Sequence, residues 1–279
     1  MELWGDLDQR YQADESEDKS SIDATNELVF LKDNQGDKFV LKRYQSARAQ
    51  RRELNALTHW SPLLSFPCPE IVRALTDPAP SILMTRLPGR TPTPDESDSI
   101  ELSQVAGRAL RELHDLDIEN QDAMPLWRAM ELRFREVIES ARPWLVNDLL
   151  GFVAGVSTRL SDLPARTRVP CHGDYVGRNW QVDGSVPFAL LDFENAHMDV
   201  AETDFLKLHM ESWPQNEAAK SAFIESYGTT WDEGVTEWIS VLEILYLIGT
   251  VNWNLAMGLN DEAIQARKTL DRIRLKNSV

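Results

Sequence analysis

The 279-residue chain has little of what many binding and targeting classes require. Only two cysteines occur, Cys68 and Cys171, each beside a proline and neither near a second cysteine. That argues against a cysteine metal clip or a disulfide framework. Two separated thiols suit a reducing compartment, so the expected location is cytoplasmic. Positive charge is also scarce: 29 Lys and Arg face 45 Asp and Glu, a net of −16. Nucleic-acid binding needs clustered cations that release counterions, so no nucleic-acid partner is expected. Met1 to Lys19 carries Asp6, Asp8, Asp14, Glu15, Glu17 and Asp18 and no apolar run, which reads as a loosely ordered leader and not as a secretory signal. The most apolar stretch, Trp238 to Trp253, is interrupted by Glu243 and Asn252. It is shorter than the roughly 20 residues of a spanning helix, so a buried core helix and no membrane partner are expected.

What is present is the composition of a globular protein, 42% apolar and 27% charged, on a chain long enough for one large domain or two lobes. The first third alternates as strands do, at Leu28 to Lys32 and Lys38 to Tyr44, across the turn Asp33-Asn34-Gln35-Gly36-Asp37. Ala47 to His59 reads as a helix, and Ile71 to Leu75 and Ser81 to Thr85 as two more strands. After Leu87-Pro88-Gly89 the period becomes helical: Leu102, Val105, Ala106, Ala109, Leu110 and Leu113 form one buried stripe. Helices are also predicted over Trp127 to Ala141, Phe205 to Ser212, Ala218 to Tyr227 and, as a long pair, Val235 to Arg274. One hairpin interrupts them, Asn179 to Asp183 and Pro187 to Asp192, about the turn Asp183-Gly184.

Chemistry gathers at the two ends of that hairpin. Cys171-His172-Gly173-Asp174-Tyr175-Val176-Gly177-Arg178-Asn179 enters it and Leu190-Leu191-Asp192-Phe193-Glu194 leaves it, so Asp174, Asn179 and Asp192 are expected to converge. Asn179 and Asp192 offer hard oxygens suited to Mg²⁺ beside a triphosphate. Asp174, on the preceding loop, faces an acceptor hydroxyl as catalytic base. Phosphoryl transfer also needs a cation on the non-transferred phosphates. Lys42, closing the apolar run Phe39-Val40-Leu41, fits that need, with Glu53 on the following helix to direct it; Arg43 falls on the opposite face of the strand.

His172-Gly173-Asp174, Asn179 five residues later, and Leu191-Asp192-Phe193 together resemble the aminoglycoside phosphotransferase family, a branch of the protein-kinase-like fold. The resemblance runs from about Leu28 to Leu208 and includes Leu83-Met84-Thr85-Arg86-Leu87-Pro88-Gly89, similar to the family's hinge, and Leu110-Arg111-Glu112-Leu113-His114, similar to its first C-lobe helix. It implies a bilobal α+β fold, with a nucleotide-binding lobe over residues 1–86 and a helical catalytic and substrate-binding lobe over 87–279. It also implies a nucleotide base held near Met84, Thr85, Arg86 and Leu87, a metal held by Asn179 and Asp192, and a bracing role for Asp204. The chain departs from the family at Ser20 to Val29, which has no glycine where a phosphate-covering loop is expected and leaves Thr25-Asn26 to do the covering. It departs again at Asp199-Val200, where the family has Asp-Pro, and the role of Asp199 stays open.

The expected activity is transfer of the γ-phosphate of ATP, or GTP, to a small-molecule hydroxyl. From Glu194 to Glu243 eleven acidic residues face two basic ones, Lys207 and Lys220, which suggests a cationic acceptor such as an aminoglycoside-type antibiotic; solvated helix faces explain the same charge. Choline, a sugar or an amino alcohol are alternative acceptors, and a nucleotide-binding module without turnover is a second alternative. His172 is expected to steady its loop by bonding backbone, His114 to be a satisfied structural histidine, and Glu194, Glu202 and Glu211 to be ordinary surface carboxylates, with contact to the acceptor or metal shell as the alternative for Glu194 and to a cationic substrate for Glu202 and Glu211. Trp213, Trp231, Trp238 and Trp253 are expected in the core.

Overall fold

The computed structural model describes residues 10–14, 26–77, 79–119, 124–145, 147–183 and 188–276. Two compact units emerge. The first takes the described residues of 1–118, 169–199 and 207–229, and the second those of 119–168, 200–206 and 230–279.

The first unit is built on a five-stranded antiparallel sheet in the order β1-β2-β3-β5-β4. Its strands are β1 (Tyr11–Ala13), β2 (Asn26–Asp33), β3 (Lys38–Tyr44), β4 (Ile71–Leu75) and β5 (Ser81–Thr85). The expected leader is therefore ordered in part: Tyr11 is buried and pairs with Asp33 as an edge strand. Register decides what each face carries, because side chains alternate along a strand. Leu31, Leu41 and Leu83 pack with Tyr11 as the apolar core of one face. Leu28 lies opposite Lys42, Phe30 opposite Val40 and Val40 opposite Met84, so these five share the other face. Arg43 points away from that face and pairs with Glu27 at 2.8 Å.

Helix α1 (Ala47–His59) starts where Ser46 accepts from Arg48 N–H, a side-chain cap on an otherwise unpaired donor. It packs against the 3-10 turn Phe193–Asn195. The short α2 (Pro94–Ser97) has a full capping box between Thr93 and Glu96. Helix α3 (Ile100–His114), capped by Ser99, buries the predicted stripe, including Leu102, Ala106, Ala109, Leu110 and Leu113. It lies against α7 (Glu217–Tyr227), which ends on Gly228 in the left-handed conformation at φ 81°. The two helices approach so closely at Gly107 that a Cβ there would come within 2.5 Å of Phe223 O. His114 Nδ1 meets Tyr227 Oη at 2.8 Å and is satisfied.

Short strands finish this unit. β6 (Val169–Cys171) pairs with β9 (His197–Asp199), and β7 (Trp180–Gln181) pairs with β8 (Ala189–Leu190). The predicted hairpin is present but shorter, because the 3-10 turn Gly177–Asn179 takes up Asn179; Gly184 and the rest of its loop to Pro187 lie outside the described residues. Tyr175 sits among Trp180, Phe188 and Phe223 and donates to Ala106 O at 2.8 Å, which ties the loop carrying Asp174 to α3.

The second unit is helical: α4 (Leu126–Ala141), α5 (Asn147–Ser157), most of α6 (Glu202–Lys207), α8 (Glu233–Ala256) and α9 (Asn260–Lys276). The chain continues from α6 into a π-helical turn, Leu208–Ser212. Helix α8 is longer than the apolar run suggested, because Asp232 caps it by accepting from Val235 N–H. By length and composition it is the one helix among the described residues apolar enough to cross a membrane. Trp238, Ile239, Leu242, Leu245 and Ile248 are nonetheless buried, and the helix packs on α4 and α9. Asn252, which breaks the run, accepts from Trp144 Nε1 at 2.7 Å. Trp213 and Trp238 are buried as expected, whereas Trp253 is 39% exposed.

Both cysteines are buried. Burial pushes the Cys68 thiol up to about 12, far from the pH at which a thiolate forms. Native protein at pH 8 is therefore expected to consume almost no Ellman reagent, and two equivalents after denaturation. Rapid reaction of the native thiols would contradict this burial.

Candidate active site

The mixed face of the sheet, the segment after β5 and the short hairpin enclose a cavity of about 520 Å³. Leu28, Phe30, Val40 and Met84 form its apolar wall, and Lys42, Glu53, Thr85, Arg86, Leu87, Asn179 and Asp192 also line it. All the residues singled out for donor and metal binding thus meet at one place. Asp174 does not line the cavity; it is joined to it through Asn179, whose Nδ2 donates to Asp174 O at 2.8 Å.

Lys42 is the electrostatic centre. Its Nζ lies 2.7 Å from Glu53 Oε2 and 3.1 Å from Glu194 Oε2, and it is also ion-paired with Asp192. Burial alone would favour loss of its proton, but the three carboxylates outweigh that and hold Lys42 protonated well above an ordinary lysine. Glu53 is fixed in turn by Tyr44 Oη at 2.7 Å and by Phe193 N–H at 3.2 Å. Burial, then the Glu53 carboxylate, push the Tyr44 hydroxyl far up, so it stays a donor.

Glu194 is not the surface carboxylate expected from sequence. It is mostly buried, bonds Asn26 Nδ2 and faces Lys42. Burial and the neighbouring Asp192 raise its pKa despite the ammonium beside it. Asn26 and Leu28 line the cavity; residues 20–25 of the expected covering loop lie outside the described residues.

The loop carrying Asp174 is held from both sides. Gly173 has φ 80°, and a Cβ there would collide with Asn195 O, so this position needs glycine. His172 is fully buried; its Nε2 is 2.8 Å from Leu191 O and its Nδ1 accepts from Asp174 N–H at 3.3 Å. That assigns the tautomer protonated on Nε2 and gives His172 the backbone-bonding place expected of it. Asp174 receives Arg178 Nη2 at 2.9 and 3.2 Å and an ion pair from Lys207. Burial raises the Asp174 pKa, yet Lys207 and Arg178 outweigh it, and the net is below the usual carboxylate range. Neither cation was singled out from sequence. Neither carried a local signal: Asp174 to Val176 is loop ahead of the turn Gly177–Asn179, so the spacing to Arg178 is not a helical one, and Lys207 is 33 residues from Asp174.

Other residues find different partners. Asp199 is buried and lies 3.1 Å from His197 Nε2. Glu211 meets Arg178 at 3.4 Å. Glu202, also expected at the surface, is buried and paired with Arg166 at 2.6 Å. Asp204 is buried. Gln181 was missed too: its Nε2 faces Leu87 O at 3.4 Å, and its Oε1 is a buried cavity-side acceptor with no hydrogen-bond partner.

The donor set suits a hard cation. Asp192 lines the cavity with a carboxylate, and its oxygen lies within 4.8 Å of those of Glu53 and Glu194. Asn179 spends its Nδ2 on Asp174 O and keeps its amide oxygen as an acceptor. Such an oxygen set, without sulfur or imidazole, fits Mg²⁺.

Against known proteins, the family model described as "Phosphotransferase enzyme family" matches residues 20–237. No curated protein matches by sequence. Among solved structures, the GDP and kanamycin complex of APH(2")-IIia superposes with a TM-score of 0.71 at 15% identity, covering 96% of this chain and 94% of that one. Macrolide 2'-phosphotransferase MphH from Brachybacterium faecium gives 0.62 at 18% identity over 88% of each chain. Plasmodium vivax ethanolamine kinase gives 0.65 at 16% identity, covering 97% and 82%. The fold is thus the mixed α+β, kinase-like fold of small-molecule phosphotransferases. The chain belongs to the phosphotransferase enzyme family, and it is a small-molecule phosphotransferase.

Proposed function

We propose that this protein moves the γ-phosphoryl group of ATP or GTP to a hydroxyl of a small molecule, with Asp174 as base. The observation that carries this reading is the cavity in which Lys42, Asn179 and Asp192 meet, joined to a buried, ionised Asp174 by the Asn179 bond. Residues 1–86 serve mainly the donor, and residues 87–279 supply catalysis and the acceptor site. Lys42, directed by Glu53, takes the non-transferred phosphates. Met84, Thr85, Arg86 and Leu87 border the base, where the orphaned Gln181 Oε1 suits an exocyclic amine of adenine or guanine. Asn179 and Asp192 would hold Mg²⁺, which when bound neutralises phosphate charge. Asp174 accepts the acceptor's hydroxyl proton while the new O–P bond forms. The bond from Pγ to the bridging oxygen breaks, and the nucleoside diphosphate leaves with that electron pair.

Of the eleven acidic residues that suggested a cationic acceptor, Glu194 is paired with Lys42, Glu211 with Arg178 and Glu202 with Arg166, so cationic and neutral acceptors are tested alike. The test is a panel of aminoglycosides, macrolides, choline, ethanolamine and sugars, each offered with γ-labelled ATP and GTP and Mg²⁺. Label transfer to at least one acceptor is expected. Tight Mg·nucleotide binding by calorimetry without transfer to any acceptor would replace this reading with a nucleotide-binding module.

A further inference from the structure

Two cations on one carboxylate are more than a catalytic base needs. Lys207 and Arg178 both pair with Asp174, but they differ in place. Arg178 also lines the nucleotide cavity and Lys207 does not. Arg178 therefore borders both ends of the path a phosphoryl group must travel, from the donor side to the oxygen that Asp174 prepares.

Local backbone fixes that position. Arg178 is the middle residue of the turn Gly177–Asn179, directly before the cavity residue Asn179. Gly177 is pressed on Ser97 so closely that a Cβ would collide, so the turn cannot drift toward α2. The side chain is half exposed and can reorient without unpacking a core. Its Nη1 contact to Glu211 is long, 3.4 Å, and Nε–H takes no part in the bonds to Asp174 and Glu211. A planar fork of donors is what the equatorial oxygens of a transferring phosphoryl group require, because a loose transition state spreads its charge over them.

We propose that Arg178 is a catalytic residue that contacts the transferring phosphoryl group. Its guanidinium moves from Asp174 to the γ-phosphate as the donor loads, and Lys207 stays to orient the carboxylate. The exchange answers a need on both sides: Asp174 must free a lone pair for the acceptor hydroxyl, and the phosphoryl group must gain a cation. This inference rests on the phosphotransfer reading above.

The test needs no acceptor. Calorimetry would compare Mg·ADP and Mg·GDP binding with and without aluminium fluoride, which mimics the phosphoryl group in flight. Fluoride is expected to tighten diphosphate binding to the wild type. Arg178→Ala and Arg178→Lys are expected to lose about tenfold or more of the fluoride gain, each taken relative to its own diphosphate affinity. Guanidinium ion at millimolar concentration is expected to restore part of it in Arg178→Ala, with thermal melting unchanged in both variants. A full fluoride gain in both variants, or a wild type that binds diphosphate and gains nothing from fluoride, would overturn the assignment of Arg178. A wild type that binds neither diphosphate would instead sink the phosphotransfer reading and this proposal with it.

Discussion

Asp174→Ala is expected to slow phosphoryl transfer by about 10²-fold or more, the usual contribution of a positioned general base. The nucleotide KM should change little, because Asp174 lies outside the lining of the cavity proposed for the donor. Asp174→Asn tests the same point with less disturbance, since it keeps the shape and loses the charge that Arg178 and Lys207 neutralise. The pH profile adds a second measure. Lys207 and Arg178 hold Asp174 ionised to below the usual carboxylate range, so the acid limb of kcat/KM should lie below that range in the wild type. Removing either cation weakens the preference for the charged form and should move that limb upward. Transfer at the wild-type rate by Asp174→Ala, measured with an acceptor from the panel above, would refute the assignment.

The largest expected effect on stability is at Lys42. Its side chain is 6% exposed and its partners Glu53, Asp192 and Glu194 are 1%, 17% and 12% exposed. Lys42→Met would leave three crowded carboxylates without their shared cation. Breaking a buried pair from one side costs about 3 to 5 kcal/mol, and that is the expected loss in urea unfolding at pH 7. The sign of its pH dependence follows from the carboxylates. Glu194, already raised by burial and Asp192, rises further when the ammonium is gone, so the variant is penalised most where Glu194 is ionised, and the penalty shrinks as pH falls and it takes a proton. A Lys42→Met protein as stable as the wild type across that range would show that the cluster contributes nothing to folding.

Much of the first unit could be read from sequence because its signals are local. Lys38–Tyr44 and Ile71–Leu75 lie between turns and carry β-prone residues, and Ala47–His59 has a Ser cap and apolar residues at helical spacing, so these bounds were legible. Alternation also placed Lys42 and Arg43 on opposite faces. Helix α5 was missed because Gly151 and Gly155 weaken its helical propensity. The pairs β6 with β9 and β1 with β2 involve three-residue strands, too short for periodicity to show. The partners of Glu194 and Lys207 were hidden for a different reason. Asn26 is 168 residues from Glu194, and Asp174 is 33 from Lys207, so only the folded chain brings them together. Net charge is limited for the same reason, since it counts carboxylates without showing which are already paired.

Asp192 adopts a left-handed backbone, φ 65° and ψ 64°, a conformation that few side chains tolerate and that asparagine tolerates about as well as aspartate. Alanine scanning would therefore give a mixed answer here, altering main-chain torsion energy along with the missing carboxylate. Asparagine separates the two, and glycine supplies the complementary control, a relaxed chain with no oxygen to offer.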